Sequence, residues 1–365
     1  MSHRSPVCTH DACTRAIRPQ RSVGRGRVVR PERRPATYRG PVHRSALTLA
    51  ALSTAAVPGM DVVDARLLDS DGSNDVAVVI DSTRRHWIVR APRDAAAGAS
   101  LEAEMVLLRS LADRVDAGDL PFAVPTPAGY ATLPEGGRAV VHPEVPGVPL
   151  QADRLQPGPG LARSVGRAIA ALHELPTSLV EDAGLPSYSA EEYRQRRLSE
   201  VDEAARTGRV PARLLRRWEQ ALENVAMWRF RPVVTHGELN GDHILVAQQS
   251  VNGVVDWAEC QVADPADDLS WLLVAAPPES VESILEAYQL ARTESADAHL
   301  VDRALLAGEL ALARWLLHGV RTEQKDVVDD AVEMLLDLDE AVHEGAESAD
   351  ESDDVSVVEP SRDDD

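Results

Sequence analysis

Thr235-His-Gly-Glu-Leu-Asn-Gly-Asp-His-Ile-Leu-Val246, followed a few residues on by Asp256-Trp-Ala-Glu-Cys-Gln-Val-Ala-Asp-Pro-Ala-Asp-Asp-Leu269, is the stretch on which the reading of this chain turns. His236, Glu238, Asp242, His243, Asp256, Glu259, Asp264 and Asp268 set oxygen- and nitrogen-bearing groups between short apolar runs. Thr235 leaves one strand-like piece and Ile244 enters another, so residues 238–242 fall on a tight loop. Asp256 closes the β-branched run 251–255 and points back toward the same space. A carboxylate five residues before a nitrogen ligand, with a second carboxylate at a strand end, suits Mg²⁺, which takes one or two protein carboxylates and completes its octahedron with phosphate oxygens and water. A zinc hydrolase would want several His or Cys at ligand spacing. Taken singly, each residue reads more simply as a turn cap or a hydrogen-bonded histidine; the combination is what points to phosphoryl transfer.

Outward from this centre, the upstream chain is rich in strands. A small-residue helix at Ala46–Ala56 precedes strands at Val62–Leu68, 76–81 and 86–90, and the turn-forming residues 69–75 make the first two a hairpin. Residues 99–114 read as a helix, because Leu101, Met105, Leu108 and Leu111 keep a three-to-four spacing. Strands at 129–133 and 139–141 flank Pro134-Glu-Gly-Gly137, a second hairpin. The prolines of 142–149 then interrupt all periodicity and mark a boundary. Beyond it helices are expected at 161–175, 190–205, 211–228, 267–274, 281–291, 298–318 and 325–343, around short strands at Val233–Thr235 and 251–256. The pattern predicts an α+β chain of two lobes, the first a small sheet with one helix and the second mostly helical, with a ligand cleft between them.

The chain has 365 residues, 27% charged and 44% apolar, enough for a sizeable core. Lys+Arg is 38 against 59 Asp+Glu, a net charge of −21, which argues against a nucleic-acid or anionic-membrane binder. Three cysteines make neither a disulfide framework nor a zinc pattern, and Cys260 reads as a small buried packer. No apolar run reaches ~18 residues, so no transmembrane helix is expected and the cytoplasm is the expected compartment. Lys325 is the one lysine; every other basic residue is arginine, as GC-rich codon usage produces. Residues 1–45 carry eleven Arg against Asp11 and Glu32, and 344–365 carry ten acids against Arg362. Both read as solvated, unstructured tails. The head is expected to reflect a start codon assigned too early; an inert arm or a basic docking arm are the alternatives. The organisation expected is therefore head 1–45, sheet lobe 46–143, helical lobe 144–343 and tail 344–365.

These motifs resemble the aminoglycoside/macrolide phosphotransferase family, small-molecule kinases with a protein-kinase-like fold. The family's His-Gly-Asp-x-x-x-x-Asn, Ile-Asp-Trp/Phe and Asp-Pro-x-x-Asp-Leu stand here as His236-Gly237-Glu238 to His243, Val255-Asp256-Trp257 and Asp264-Pro265-Ala266-Asp267-Asp268-Leu269. His at the Asn position and Asp256-Trp257-Ala258-Glu259 are closest to the macrolide branch. The resemblance implies catalytic roles for Glu238, as base, and for His236, as buttress of the loop. It implies Mg²⁺ held by His243 and Asp256, and structural support from Asp264 and Asp268. It implies ATP or GTP as donor, bound by Arg90 in the place of the phosphate-contacting lysine, by its helix partner Glu104, and by a purine hinge containing His142, Glu144 and Val145. The acceptor would be a hydroxyl of a small molecule, macrolide or aminoglycoside-like, and the protein a monomer or weak dimer. Two departures stand out: the base is a glutamate, one methylene longer than aspartate, and the lysine is an arginine. They leave two functions open, an active O-phosphotransferase and a kinase-fold binder without efficient turnover. Trp218, Trp228, Trp271 and Trp315 read as core before they read as acceptor contacts.

Overall fold

In the computed structural model, residues 43–68, 73–294 and 297–354 are described. The basic head up to residue 42, the tip of the first hairpin at 69–72 and the end beyond residue 354 lie outside them.

Five antiparallel strands, β1 (Val62–Leu68), β2 (Asn74–Asp81), β3 (His86–Pro92), β4 (Gly129–Thr132) and β5 (Arg138–Pro143), form one sheet in the order β1-β2-β3-β5-β4. Helix α1 (Ala46–Ala56) begins at Ser45, whose hydroxyl accepts the Thr48 amide at 3.2 Å. Its Leu49 and Ala56 pack on the inward residues Ala77, Val79, Val89 and Val141, which makes a small core of their own. Helix α2 (Ala95–Ala117) starts earlier than the apolar spacing predicts, because Asp94 caps it by accepting the Ala97 amide at 2.8 Å. It ends at Gly118, with φ +82°.

The lobe boundary is less simple than the proline run suggests. The buried face of α2, with Leu101, Met105, Leu108 and Leu111, shares one apolar core with Ile169, Trp257 and Leu269 of the helical half. The segment after α2 also crosses over: the Ala123 amide donates to the Asn252 carbonyl and the Val254 amide to the Ala123 carbonyl, both at 2.9 Å. So α2 is packed between the sheet and the helical half, and Val140 of β5 joins the same core.

The helical half contains α3 (Leu161–His173), α4 (Ser178–Asp182), α5 (Ala190–Arg206), α6 (Ala212–Glu223), α7 (Ala266–Ala275), α8 (Pro278–Ala291), α9 (Leu300–Arg321) and α10 (Lys325–Asp354). Helices α3 and α8 cross at Gly166, where an added Cβ would lie 2.3 Å from the Ile284 carbonyl oxygen. Embedded among the helices are β6 (Val148–Pro149), β7 (Val233–Thr235), β8 (Ile244–Ala247), β9 (Ser250–Val254) and β10 (Gln261–Ala263), paired as β10-β7 and β6-β8-β9. These two small sheets hold the loops 236–243 and 255–260 side by side.

Two expectations need correction. The last helix runs on to Asp354, into the acidic stretch expected to be unstructured from residue 344. Its Glu and Ala residues are good helix formers, and the charge run alone does not break a helix already started. Trp315 is 39% exposed rather than core; its ring stacks on His318 and its Nε1 donates to Asp330 at 2.8 Å.

Candidate active site

Strand β7 delivers His236 into the interior, where it is fully buried. Its amide donates to Asp268 Oδ2 at 2.8 Å, and its Nε2 donates to the Val255 carbonyl at 2.9 Å. The ring lies between Trp257 and His243, at centroid distances of 5.0 and 5.5 Å. Burial holds this imidazole below its ordinary pKa, hence neutral. The geometry makes His236 a positioning residue that joins the two loops. Gly237 follows with φ +85° and gives its amide to Asp268 Oδ1 at 3.1 Å. A Cβ there would stand 2.1 Å from the Glu259 carbonyl oxygen, so only glycine fits where the loops cross.

Glu238 is exposed at the start of the loop. Its carbonyl accepts His243 Nδ1–H at 2.9 Å, and Asn240 folds the intervening turn by accepting the Asp242 amide at 2.8 Å. With Nδ1 as donor, the His243 lone pair is on Nε2, which lies 3.4 Å from Asp256 Oδ2. Asp256 has φ +65°, a left-handed conformation tolerated by Asp and found where a site demands it. Two ligands at right angles on one Mg²⁺ would sit about 3 Å apart, so this donor pair fits the ion. Among the described residues, no three His, Cys, Asp or Glu side chains gather closely enough to hold a metal alone, so an ion here would need phosphate oxygens as well.

Behind the loop, Asp268 is fully buried. Burial pushes its carboxyl up, but His173 and the His236 amide outweigh that, and its pKa is lowered. His173, at the end of α3, approaches Asp268 Oδ2 at 3.1 Å through Nε2 and pairs with the Tyr288 hydroxyl at 2.9 Å through Nδ1. Asp264 lies apart from the loop. It takes a bidentate contact from Arg303, at 2.6 and 3.1 Å, while burial pushes its carboxyl up to about 6. Its place is structural: it pins the start of α7 to α9.

Across the cleft, Arg90 on β3 contacts Glu104 on α2 at 2.5 Å. Glu104 is 1% exposed, and burial raises its pKa against the pull of Arg90. Of the three residues expected at a purine hinge, His142 is buried, donates Nδ1–H to the Pro143 carbonyl at 2.9 Å, and is pushed by burial down to about 4. Glu144 commits its amide (3.0 Å) and its carboxylate (2.8 Å) to His86. Val145 is buried at 9% exposure, and among the described residues none accepts its amide.

The sequence reading did not assign Tyr288 or Asn240 to the site, and it met His173 only within the helix end 168–174, which is similar to one that precedes the catalytic loop in the resembled family. Asn240, inside the loop, carried a local signal as a turn residue; Tyr288 carried none.

A family model described as the phosphotransferase enzyme family matches residues 64–301. The chain belongs to this family. Viomycin phosphotransferase of Streptomyces vinaceus is 31% identical over 212 residues, which cover 53% of this chain and 68% of that protein. Among solved structures, the macrolide 2'-phosphotransferase MphH apoenzyme from Brachybacterium faecium aligns with a TM-score of 0.64 and 24% identity, covering 76% of this chain and 93% of that one. The GDP and kanamycin complex of APH(2")-IIIa aligns with a TM-score of 0.66 and 19% identity, covering 80% and 97%. This phosphotransferase-family chain therefore has the two-lobed, kinase-like α+β fold that its motifs implied. No helix among its described residues is long and apolar enough to cross a membrane.

Proposed function

We propose that the protein transfers the γ-phosphoryl group of ATP or GTP to a hydroxyl of a small molecule of the macrolide or aminoglycoside kind. The observation that carries this reading is the convergence of His243 Nε2 and Asp256 Oδ2, 3.4 Å apart, on the loop that also presents Glu238. His243 and Asp256 are the residues that would hold Mg²⁺; when bound, the ion offsets the negative charge that builds on the transferring phosphates. Asp268 and His236 fix the loop's main chain, so the base and the metal ligand keep their separation. The His243–Glu238 carbonyl bond couples the two positions directly. Glu238 orients the acceptor hydroxyl and takes its proton as the new P–O bond forms. Arg90, held by Glu104, supplies a planar cation to the phosphates in place of a lysine. The Val145 amide is the hinge donor open to a purine edge. Catalysis in this scheme is mostly positioning and electrostatics.

The test is direct. Mg²⁺ with ATP or GTP is expected to raise the melting temperature of the wild-type protein, and Asp256→Ala to remove the magnesium-dependent part of that rise. Nucleotide affinity that stays magnesium-sensitive in Asp256→Ala would mean the metal pair is misassigned. Product formation on a panel of macrolides and aminoglycosides then reads turnover. The second reading, binding without efficient turnover, is favoured by the longer side chain of Glu238, since a misplacement of about 1 Å can cost roughly 10²-fold in rate. It predicts the same thermal shift with no product.

A further inference from the structure

At the end of β7 away from the catalytic loop, two adjoining hollows of ≈ 370 and ≈ 420 Å³ share Arg231, Arg292 and Glu294. We propose that this groove binds a small dianion, a phosphomonoester or a dicarboxylate, on Arg229, Arg231 and Arg292.

The acids that line the groove are already engaged. Glu174 accepts the Thr293 amide at 3.1 Å and the Thr293 hydroxyl, and it faces Arg292; these contacts overcome burial and hold its carboxyl below the usual range. Asp297 is lowered too, because Arg303 and the His299 amide outweigh burial. Glu294 pairs with Arg231. The guanidinium groups are not used up to the same extent. Arg229 is exposed and, among the described residues, has neither a hydrogen-bond nor an ion-pair partner. Arg231 is 74% exposed and Glu294 40%, and an ion pair that open to water contributes little, so an incoming anion displaces it readily. Arg292 Nη1 lies 3.1 Å from Glu174 but is buried without a directed hydrogen bond. Three planar forks around one hollow match the oxygens of phosphate or carboxylate groups.

The position gives the groove a bearing on the loop. His173 closes the groove's inner end with a fully buried side chain, and its ring touches Asp268, the carboxylate that holds the His236 and Gly237 amides. The lining includes none of Glu238, His243 and Asp256, so the inference is independent of the phosphotransfer reading.

Inorganic phosphate and succinate, added without magnesium or nucleotide, test it by thermal shift. At about ten times the dissociation constant, either probe is expected to raise the melting temperature by about 2 °C. The Asp256→Ala protein should respond as the wild type does. The Arg229→Ala/Arg231→Ala double variant, altered only at exposed positions, should respond at least about tenfold more weakly. A response to phosphate alone identifies a phosphomonoester site and a response to succinate alone a dicarboxylate site. No response of the wild type to either probe overturns the proposal. So does an undiminished response in the double variant, or a response lost in Asp256→Ala, which would put the anion in the nucleotide cleft.

Discussion

Gly237 shows what a single residue can decide. Its left-handed backbone and the 2.1 Å approach of a would-be Cβ to the Glu259 carbonyl leave no room for alanine. Gly237→Ala is expected to cost about 2 kcal/mol or more, measured by urea unfolding, and to abolish magnesium-dependent nucleotide binding with it. Next to it, Glu238→Gln should lower kcat about 10²-fold or more and leave nucleotide affinity within a few-fold, since the substitution keeps the side chain's size and the carbonyl that takes the His243 bond. Glu238→Asp should keep or raise kcat; a large loss would show that the loop is built around the longer acid. The loop residues were legible because their chemistry and spacing are local. The partners of His173 were not, because it meets Asp268 across 95 residues and Tyr288 across 115, and a helix end like 168–174 shows neither contact in its own pattern.

Between elements, the contact that matters is β3 to α2. Arg90 and Glu104 are 14% and 2% exposed, so removing the cation strands a carboxyl that burial already drives toward its neutral form. Arg90→Met is expected to destabilise the fold by about 3 kcal/mol, and the double change with Glu104→Leu by clearly less; a double-mutant cycle on urea unfolding reads the difference. Apart from α10, which runs eleven residues past its expected end, the longer helices were visible in the sequence to within about five residues, since an apolar face with 3.6 periodicity survives without tertiary help. Strands β6 and β10 and helix α4, at two to five residues, were not, because pieces so short exist only through their partners. The role of α2 was half visible. Its periodic face could be read from Leu101 to Leu111, but not that this face shares a core with Trp257 and Leu269 of the helical half as well as with Val140 of the sheet.

Across the whole molecule, buried histidines and buried acids pull the response to acid in opposite directions. His142 is pushed down to about 4, against about 6.5 in an unfolded chain, and His173 and His236 are lowered as well, all first by burial. Their native forms refuse protons that the unfolded chain accepts, so the stability they contribute is fully present above pH 6.5 and falls as the pH drops from about 6.5 to 4, with His142 contributing on the order of 3 kcal/mol to the loss. Asp264, pushed up to about 6, works against them, because its native form takes up a proton before the unfolded chain does. Unfolding free energies measured over that window should therefore fall less, or rise more, toward acid in His142→Leu than in the wild type. Glu104 sits between Arg90 of the sheet and the core that α2 shares with the helical half. Parting the sheet from α2 would leave a nearly water-free carboxylate facing no cation, so the cost of any such parting is concentrated in one ion pair.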